Sequence, residues 1–316
     1  MSGIFFLLLL SSCTSLVLSA KHGDGAVLLK IKEQLGNPEA LSSWAKGLDF
    51  CNGSGNIYPY TYIGCTSTGR VSYLGFASFP TSDVPFPNEI CRLTELEVLF
   101  IDHVFGFNGP LPSCINKLVH LDTILIHRTS LSGHLPDFHN LNNLTYLEIS
   151  QSGISGPIPP SLSSLPNLQT LDLHWNDLNG TIPPALVHLP TAALYLNDNS
   201  LSGELPRCYG EVNIRAIDVS TNRLTGDASF LFGKDKTFTY INLSKNQFTF
   251  DLSYIEIPEN LTFLDISFNG IYGKVPDSLA TARDSKLVSV DLKFNPLCGT
   301  EFAPPTCTNS APAPAH

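Results

Sequence analysis

The stretch LDLHWNDLNGTIP, from Leu171 to Pro183, is the clearest copy of a pattern that recurs along most of the chain. Apolar residues equivalent to Leu171, which we call the anchors, return every 23 to 26 residues. The anchors are Leu74, Leu99, Ile124, Leu147, Leu171, Leu194, Ile217, Ile241, Leu264 and Val290, and the copy around Leu74 is degenerate. Apolar and polar residues alternate around each anchor, which predicts a short strand with one buried face.

This period, together with the L-x-L-x-x-N core of each copy, is typical of a leucine-rich-repeat solenoid. We therefore predict an α/β solenoid, a curved right-handed superhelix of about ten repeats with N- and C-terminal caps. The expected organisation is a signal peptide at 1–20, an N-terminal cap at 21–69, the repeat array at 70–297, and a C-terminal cap and tail at 298–316. A solenoid exposes one continuous face, so function is sought on a surface rather than in a pocket.

Two further positions of the repeat carry structural predictions. Asn176 stands where the strand turns away, and its amide can satisfy backbone groups of neighbouring coils. The expected asparagine ladder is Asn176, Asn199, Asn222, Asn246, Asn269 and Asn295, with Val104, Thr129 and Ser152 replacing asparagine in early repeats. The glycine that follows, Gly180 in this copy, permits positive φ. The L-x-G-x-I-P form that ends at Pro183 is typical of plant-type repeats.

The N-terminal region predicts export. Residues 1–20 carry no charged side chain, contain the apolar run Ile4 to Leu10, and end in small residues before Lys21, as in a signal peptide. No second apolar run long enough to span a membrane follows. Residues 24–48 predict an amphipathic cap over the first coil. Its apolar residues are Ala26, Val27, Leu28, Ile31, Leu35, Leu41 and Trp44.

Export permits disulfide bonds, and seven of the eight cysteines follow the signal segment. Two pairs flank the array and predict capping disulfides: Cys51 with Cys65, and Cys298 with Cys307. Cys91 and Cys114 are close enough in the repeat pattern to meet on adjacent coils. Cys208 is then expected to be a buried free thiol.

The net charge of −10 disfavours nucleic-acid and polyanionic ligands and favours a basic partner. An enzyme needs convergent acid, base or nucleophilic groups, which the repeats do not predict. His127 and His174 lie two repeats apart, roughly 10 Å by strand spacing, too far to share a metal ion. The sequence therefore predicts a monomeric binding protein without a cofactor or a metal.

Three segments make the chain resemble a known family. They are VLLKIKEQLGNPEALSSW (27–44), GDASFLFGKDKT (226–237), which interrupts the seventh repeat, and LCGTEFAPPTC (297–307). With the plant-type repeats, these segments are similar to the plant polygalacturonase-inhibiting proteins over essentially the whole mature chain. The resemblance implies a secreted protein of the cell wall that binds fungal or insect endopolygalacturonases and slows them.

The resemblance also implies that the concave face of the strands contacts the enzyme. The candidate residues there are Phe100, Tyr146, Glu148, Asp172, His174, Trp175, Tyr195, Asp218, Tyr240 and Asp265. Glu148 and Asp218 match positions where family carboxylates contact the basic cleft, whereas His174 stands where the family can have an acid. An alternative reading is that Asp between two strand leucines only keeps the strand soluble.

The chain departs from the family in its N-terminal cap. The segment from Lys21 to Asp24 lacks the usual cysteine, and a single Cys51 stands where the family has a pair. One cap disulfide is therefore absent, which predicts weakened stability or a relative that has lost inhibition.

Asn-x-Ser/Thr motifs predict glycosylation at Asn52, Asn143, Asn179 and Asn260. A fifth motif at Asn242 lies in the middle of the concave face, and we expect it to be unused. Two other functions stay open: a partner of plant receptors or peptides, and an ice- or cell-wall-binding protein. Direct pectin binding would need a basic patch that the concave strands lack.

Overall fold

The computed structural model describes residues 23–277, 279 and 286–298. The predicted signal peptide at 1–20 and most of the C-terminal cap at 298–316 lie outside these ranges. The described chain begins with helix α1 (Asp24–Gln34) and strand β1 (Thr61–Cys65). Strand β1 pairs antiparallel with β2 (Val71–Ala77), and so covers the first edge of the array.

One long parallel sheet forms the concave face. Its remaining strands are β4 (Val98–Gly109), β5 (Thr123–His134), β6 (Tyr146–Ser150), β8 (Thr170–Asp172), β10 (Ala193–Tyr195), β12 (Ala216–Asp218), β14 (Tyr240–Asn242), β16 (Phe263–Asp265) and β18 (Ser289–Asp291). The ten anchors pair in register from Leu74 to Val290. The predicted solenoid, with its strand at every anchor, is confirmed.

A second set of short parallel strands lies beyond the turn of each coil, which the sequence did not lead us to expect. Its members are β3 (Val84–Pro85), β7 (Gly153–Pro157), β9 (Asp177–Gly180), β11 (Ser200–Glu204), β13 (Arg223–Gly226), β15 (Gln247–Phe248), β17 (Gly273–Lys274) and β19 (Leu297–Cys298). Strands β4 and β5 continue through the turn and pair with both sets.

Short 3₁₀ helices occur in the cap and on the convex side of the coils. They span Glu39–Leu41, Phe50–Asn52, Asn88–Arg92, Ser113–Lys117, Pro160–Ser164, Pro184–His188, Arg207–Gly210, Ser229–Leu231 and Leu252–Tyr254. The segment Ser229–Leu231 lies in the GDASFLFGKDKT interruption, where Leu231 is fully buried. The interruption therefore keeps buried core residues, which are Ala228, Leu231 and Phe232, in place of the missing Ile-Pro.

The predicted asparagine ladder is present. In Asn199, Nδ2 donates to the backbone oxygens of Leu173 and Leu196 at 2.9 and 3.2 Å, and Oδ1 accepts from the backbone nitrogen of Leu178 at 3.0 Å. Each such side chain thus satisfies buried backbone groups on two coils, which would otherwise cost about 1–3 kcal/mol each. In early coils the hydroxyls of Thr129 and Ser152 bond to each other instead, at 2.8 Å.

Two residues in each regular coil adopt positive φ. The glycine column was predicted, and Gly180 has φ of 77°. The residue just before each ladder position was not predicted to adopt positive φ. Its φ lies between 47° and 57° in the coils from β4 onward. These residues are His103, Arg128, Gln151, Trp175, Asp198, Thr221, Lys245, Phe268 and Phe294. We call them the turn column, and their side chains border the concave face.

The cysteine predictions are confirmed where the structure describes them. Cys51 is bonded to Cys65, and Cys91 to Cys114 on the adjacent coil. Cys298 is also disulfide-bonded, but its predicted partner Cys307 lies outside the described residues. Cys208 is free, but half-buried rather than buried as expected. The neighbouring Tyr209 takes the core position of that coil.

The N-terminal cap packs as predicted, with one exception. Val27, Leu28, Ile31 and Leu35 are buried, as are the later cap residues predicted above. Ala26 is exposed instead, because it falls on the outer side of α1.

A buried ion pair fastens the start of α1 to β2. The Asp24 carboxylate accepts from Arg70 Nε at 2.9 Å, from Arg70 Nη2 at 3.1 Å and from the backbone nitrogen of Val71 at 2.9 Å. The Asp24 side chain is 3% exposed. This contact joins the helix to the array.

We predict that Asp24→Ala lowers the free energy of unfolding by about 3 kcal/mol, because it leaves Arg70 partly buried without its main partner. Urea unfolding of the purified protein measures this loss. Glu89→Ala is the matched control, since it breaks the more exposed pair with Arg92 and should cost less than about 1 kcal/mol. Equal losses in the two variants would contradict the role assigned to Asp24.

Candidate functional site

The concave face brings the predicted contact residues onto neighbouring strands, with unequal exposure. Trp175 is 55% exposed, whereas Glu148 and Asp218 are only 9% and 7% exposed. The other predicted residues are half-buried: Phe100, Tyr146, Asp172, His174, Tyr195, Tyr240 and Asp265. Direct contact with a partner stays a prediction for all ten, and the two buried carboxylates offer it little surface.

The carboxylates in the middle of the strands have a structural role. Asp172 Oδ1 accepts from the backbone nitrogen of His174 at 3.1 Å, and Asp265 Oδ1 accepts from that of Ser267 at 2.9 Å. The same bond, to the residue two positions later, recurs at Asp218, Asn242 and Asp291. Asp and Asn make such local side-chain bonds readily. The alternative reading of these residues as part of the scaffold therefore has a physical basis.

Asp218 is the most heavily bonded of these carboxylates. Its Oδ1 accepts from the Ser220 hydroxyl at 2.6 Å, and its Oδ2 accepts from Tyr240 Oη at 3.0 Å and from Asn242 Nδ2 at 3.1 Å. Burial raises the pKa of Asp218, and these hydrogen bonds only partly offset the effect. Asp218 therefore holds Tyr240 in place from beneath the surface.

Glu148 has a similar role in an earlier coil, on strand β6. It accepts from Tyr146 Oη at 2.8 Å and from the Ser150 hydroxyl at 2.7 Å. Burial, followed by the charge of Glu148, raises the pKa of Tyr146. Tyr146 and Tyr240 remain neutral at physiological pH, and each presents its ring on the face while its hydroxyl is held by a buried carboxylate.

Aromatic rings form two patches along the face. Tyr240 stacks on Phe263 with ring centroids 4.4 Å apart. Phe268 and Phe294 of the turn column stack at 4.1 Å and are 45% and 46% exposed. The repeat pattern alone did not predict this second pair. A comparison of the residues that precede the ladder asparagines would have found it, because Phe268 and Phe294 occupy that position in successive coils.

The imidazoles of His127 and His174 lie closer together than the strand spacing suggested. Their ring centroids are 6.3 Å apart, so the estimate of roughly 10 Å is wrong. The small side chain of Ser150 lies on the intervening strand, is fully buried and bonds to His127 at 2.7 Å. Within the described residues, no three His, Cys, Asp or Glu side chains converge to hold a metal ion.

The predicted glycosylation residues Asn52, Asn143, Asn179 and Asn260 are all exposed, and their use stays a prediction. Asn242 is half-buried and donates its amide to Asp218, which fits the expectation that this motif is unused.

A group of basic residues lies beside the concave strands. Arg215, Lys234 and Lys236 line a pocket of about 440 Å³ next to the start of β12 and β14. No helix in the described residues combines the length and apolar character needed to cross a bilayer.

These features define a plant-type leucine-rich-repeat binding protein with an acidic and aromatic concave face. Family models match here: "Leucine rich repeat N-terminal domain" at residues 21–65 and "Leucine Rich Repeat" at 143–165, 167–189 and 260–282. Polygalacturonase inhibitor 1 of Arabidopsis thaliana is 38% identical over 94% of this chain and 88% of its own length. The chain belongs to the plant leucine-rich-repeat family that includes the polygalacturonase inhibitors, and as a member it is a binding protein rather than an enzyme.

The chain is also similar to a second Arabidopsis protein and to a solved plant structure. Leucine-rich repeat protein FLOR 1 of Arabidopsis thaliana is 36% identical over 87% of this chain and 83% of its own length. The crystal structure of a plant ice-binding protein is 32% identical and superposes with a TM-score of 0.79 over 88% of each chain.

We predict that Asp218→Ala lowers the free energy of unfolding by about 1–3 kcal/mol, because it leaves buried donors without an acceptor. Asp218→Asn should cost less, since Asn242 makes the equivalent bonds to Ser244 on the next coil. Urea unfolding at several pH values measures both losses.

The pH dependence has a defined sign. The raised pKa means that folded Asp218 holds its proton more tightly than the unfolded chain does. Its contribution to stability therefore falls as pH rises from about 4, the ordinary carboxyl pKa, through the raised folded value. A wild-type advantage over Asp218→Asn that grows with pH in this range would contradict the assignment.

Proposed function

We propose that the protein is secreted into the plant cell wall and inhibits a fungal or insect endopolygalacturonase by binding it with the concave face. The sequence identity of 38% to a polygalacturonase inhibitor over nearly the whole length is the observation that carries this proposal. The apolar N-terminal segment 1–20 supports export.

The geometry supports different roles for different residues on that face: some contact the partner and others position the contacting residues. Half-exposed aromatic rings provide apolar contact area, as anchors in protein interfaces commonly do. Asp172, Asp265 and Asp291 leave partial negative charge at the surface, which suits a basic cleft in the partner. Asp218 and Glu148 lie beneath and position Tyr240 and Tyr146. We therefore assign direct contact to the rings and to the half-exposed carboxylates.

Two other functions remain as alternatives. One is binding to a receptor ectodomain or a signalling peptide, which the same face could serve. The other is binding to ice, favoured by the similarity to the plant ice-binding protein. Ice recognition requires a regular and flat row of side chains, whereas the middle positions of the concave strands vary from Phe100 to Glu148 to Tyr195.

The test is polygalacturonase activity, measured as release of reducing ends at about pH 5 and low salt, with a panel of fungal enzymes. We predict dose-dependent inhibition of at least one enzyme. Trp175→Ala should weaken it about tenfold or more, because an exposed aromatic at an interface carries a large share of the binding energy.

Tyr254→Ala is the matched control, since Tyr254 is 79% exposed and lies on the convex helix Leu252–Tyr254. It should inhibit as the unchanged protein does. If the folded protein inhibits no enzyme of the panel, the proposal fails. Equal losses in the two variants would place the contact elsewhere. Thermal hysteresis and peptide binding, measured on the same preparation, separate the alternatives.

A further inference from the structure

His127 and His174 form a pair on the N-terminal half of the concave face. Their ring planes are tilted by 47°, and their side chains are 19% and 21% exposed. The pair lies across Ser150, where His127 is in register with Ser150 between β5 and β6. Neither histidine is explained by the repeat pattern, because the equivalent positions elsewhere are mostly Ser or Asn.

The hydrogen bonds fix the protons on one side of each ring. His174 Nδ1 lies 2.6 Å from Asp172 Oδ1, so it carries a hydrogen that it donates to the carboxylate. His127 Nδ1 lies 2.7 Å from Ser150 Oγ, which itself donates to Glu148, so His127 Nδ1 also donates. In the neutral form each Nε2 is therefore an acceptor, and protonation converts it into a cationic donor.

Both Nε2 atoms are available. Among the described residues, neither has a hydrogen-bond partner. A third histidine, His103, lies 6.1 Å from His127 by ring centroids but is not equivalent. Its Nδ1 faces Asp102 at 2.6 Å and its Nε2 is taken by the Arg128 guanidinium. Because Arg128 occupies Nε2 of His103, only His127 and His174 of these three histidines have an Nε2 without a hydrogen-bond partner in the part of the chain that the structure describes.

Charged groups around the pair act in opposite directions. Those that face it from the packed strands are Asp102, Arg128, Glu148, Asp172 and Asp198. Burial lowers the pKa of His127, the charges of Arg128 and His174 lower it further, and the nearby carboxylates only partly offset this. Burial also acts to lower the pKa of His174, but the bond and charge of Asp172 outweigh it and raise that pKa. His174 therefore gains its proton at a higher pH than His127 does.

We propose that His127 and His174 form a carboxylate-binding site that becomes active below neutral pH and receives an Asp or Glu side chain of the bound protein partner. Two imidazolium N–H groups can each donate to one carboxylate oxygen at about 2.8 Å. The ligand itself stays ionised down to about pH 4. The site is active where the pH lies below the pKa values of both histidines and above about 4.

The surroundings favour a single protein carboxylate over an anionic polysaccharide. The carboxylates that act on the pair, Asp102, Glu148, Asp172 and Asp198, outnumber the single Arg128, so each further carboxylate of a polyanionic chain would add repulsion. One acidic side chain can enter between the histidines while Trp175, next to His174, packs against its backbone. The basic pocket of Arg215, Lys234 and Lys236 is separate and lies several coils away.

The first test uses the full secreted chain without any partner, because the partner's identity rests on the proposed function. Histidine ring NMR follows titration with sodium acetate against sodium chloride at equal ionic strength. We expect acetate to raise the pKa of both His127 and His174, since an anion that binds the protonated form stabilises it. Exposed His188 on the convex helix Pro184–His188 serves as the internal control. An acetate effect no larger than that on His188 would overturn the proposal.

The second test follows inhibition of a polygalacturonase from about pH 5 to about pH 7.5. The wild-type inhibition constant should weaken about tenfold as the histidines lose their protons. A His127→Gln/His174→Gln variant should be weak throughout and nearly independent of pH in this range. His188→Gln should keep the wild-type profile. A double variant that retains the wild-type slope would overturn the proposal.

The two tests distinguish failure of the carboxylate site from failure of the proposed function. If acetate binds the pair but no enzyme is inhibited at any pH, the proposed function is wrong and the carboxylate site stands. A glutamate-containing peptide and an oligogalacturonide distinguish the source of the carboxylate. Binding of the peptide that is lost in the double variant supports the protein source. Oligogalacturonide binding that is lost in the double variant, with no peptide binding, would contradict it.

Discussion

No coil of this molecule can bury its leucines alone, and the rest of the structure depends on that constraint. Each inner anchor lies between the anchors of the coils on either side, which pair with it in strict register. Fully burying such a side chain contributes about 1.5–3 kcal/mol, so the spacing between anchors is held within narrow limits. The backbone groups in the buried turn of each coil also need hydrogen-bond partners, and the asparagine ladder supplies them.

The fixed register makes the outward residues of distant sequence positions into neighbours. Asp218 meets Tyr240 and Asn242 of the next coil, and His127 meets Ser150 and then His174. Side chains on this face thus interact across coils as well as within them. The face consists of buried carboxylates that hold tyrosine hydroxyls, half-exposed rings above them, and histidines whose charge depends on pH. A partner would be recognised by this layered arrangement rather than by net negative charge alone.

The repeat pattern predicted most of the scaffold. The anchors, the ladder, the glycine column and the Cys91–Cys114 pair all follow from position within the repeat. Other features depend on which particular side chains come into contact, and the repeat period does not determine this. The approach of His127 to His174 required a small Ser150 between them, and the burial of Asp218 required donors from a strand more than twenty residues later. The exposure of Ala26 and the Asp24–Arg70 pair depend on how the cap sits on the first coil.

The central claim is that the concave face is the surface that binds a protein partner. Hydrogen–deuterium exchange of the chain, alone and with an inhibited polygalacturonase, tests this most directly. The account predicts slower exchange in the strands and turns from β6 to β16, with the convex 3₁₀ helices unchanged. Protection confined to the convex helices or to the N-terminal cap would contradict it.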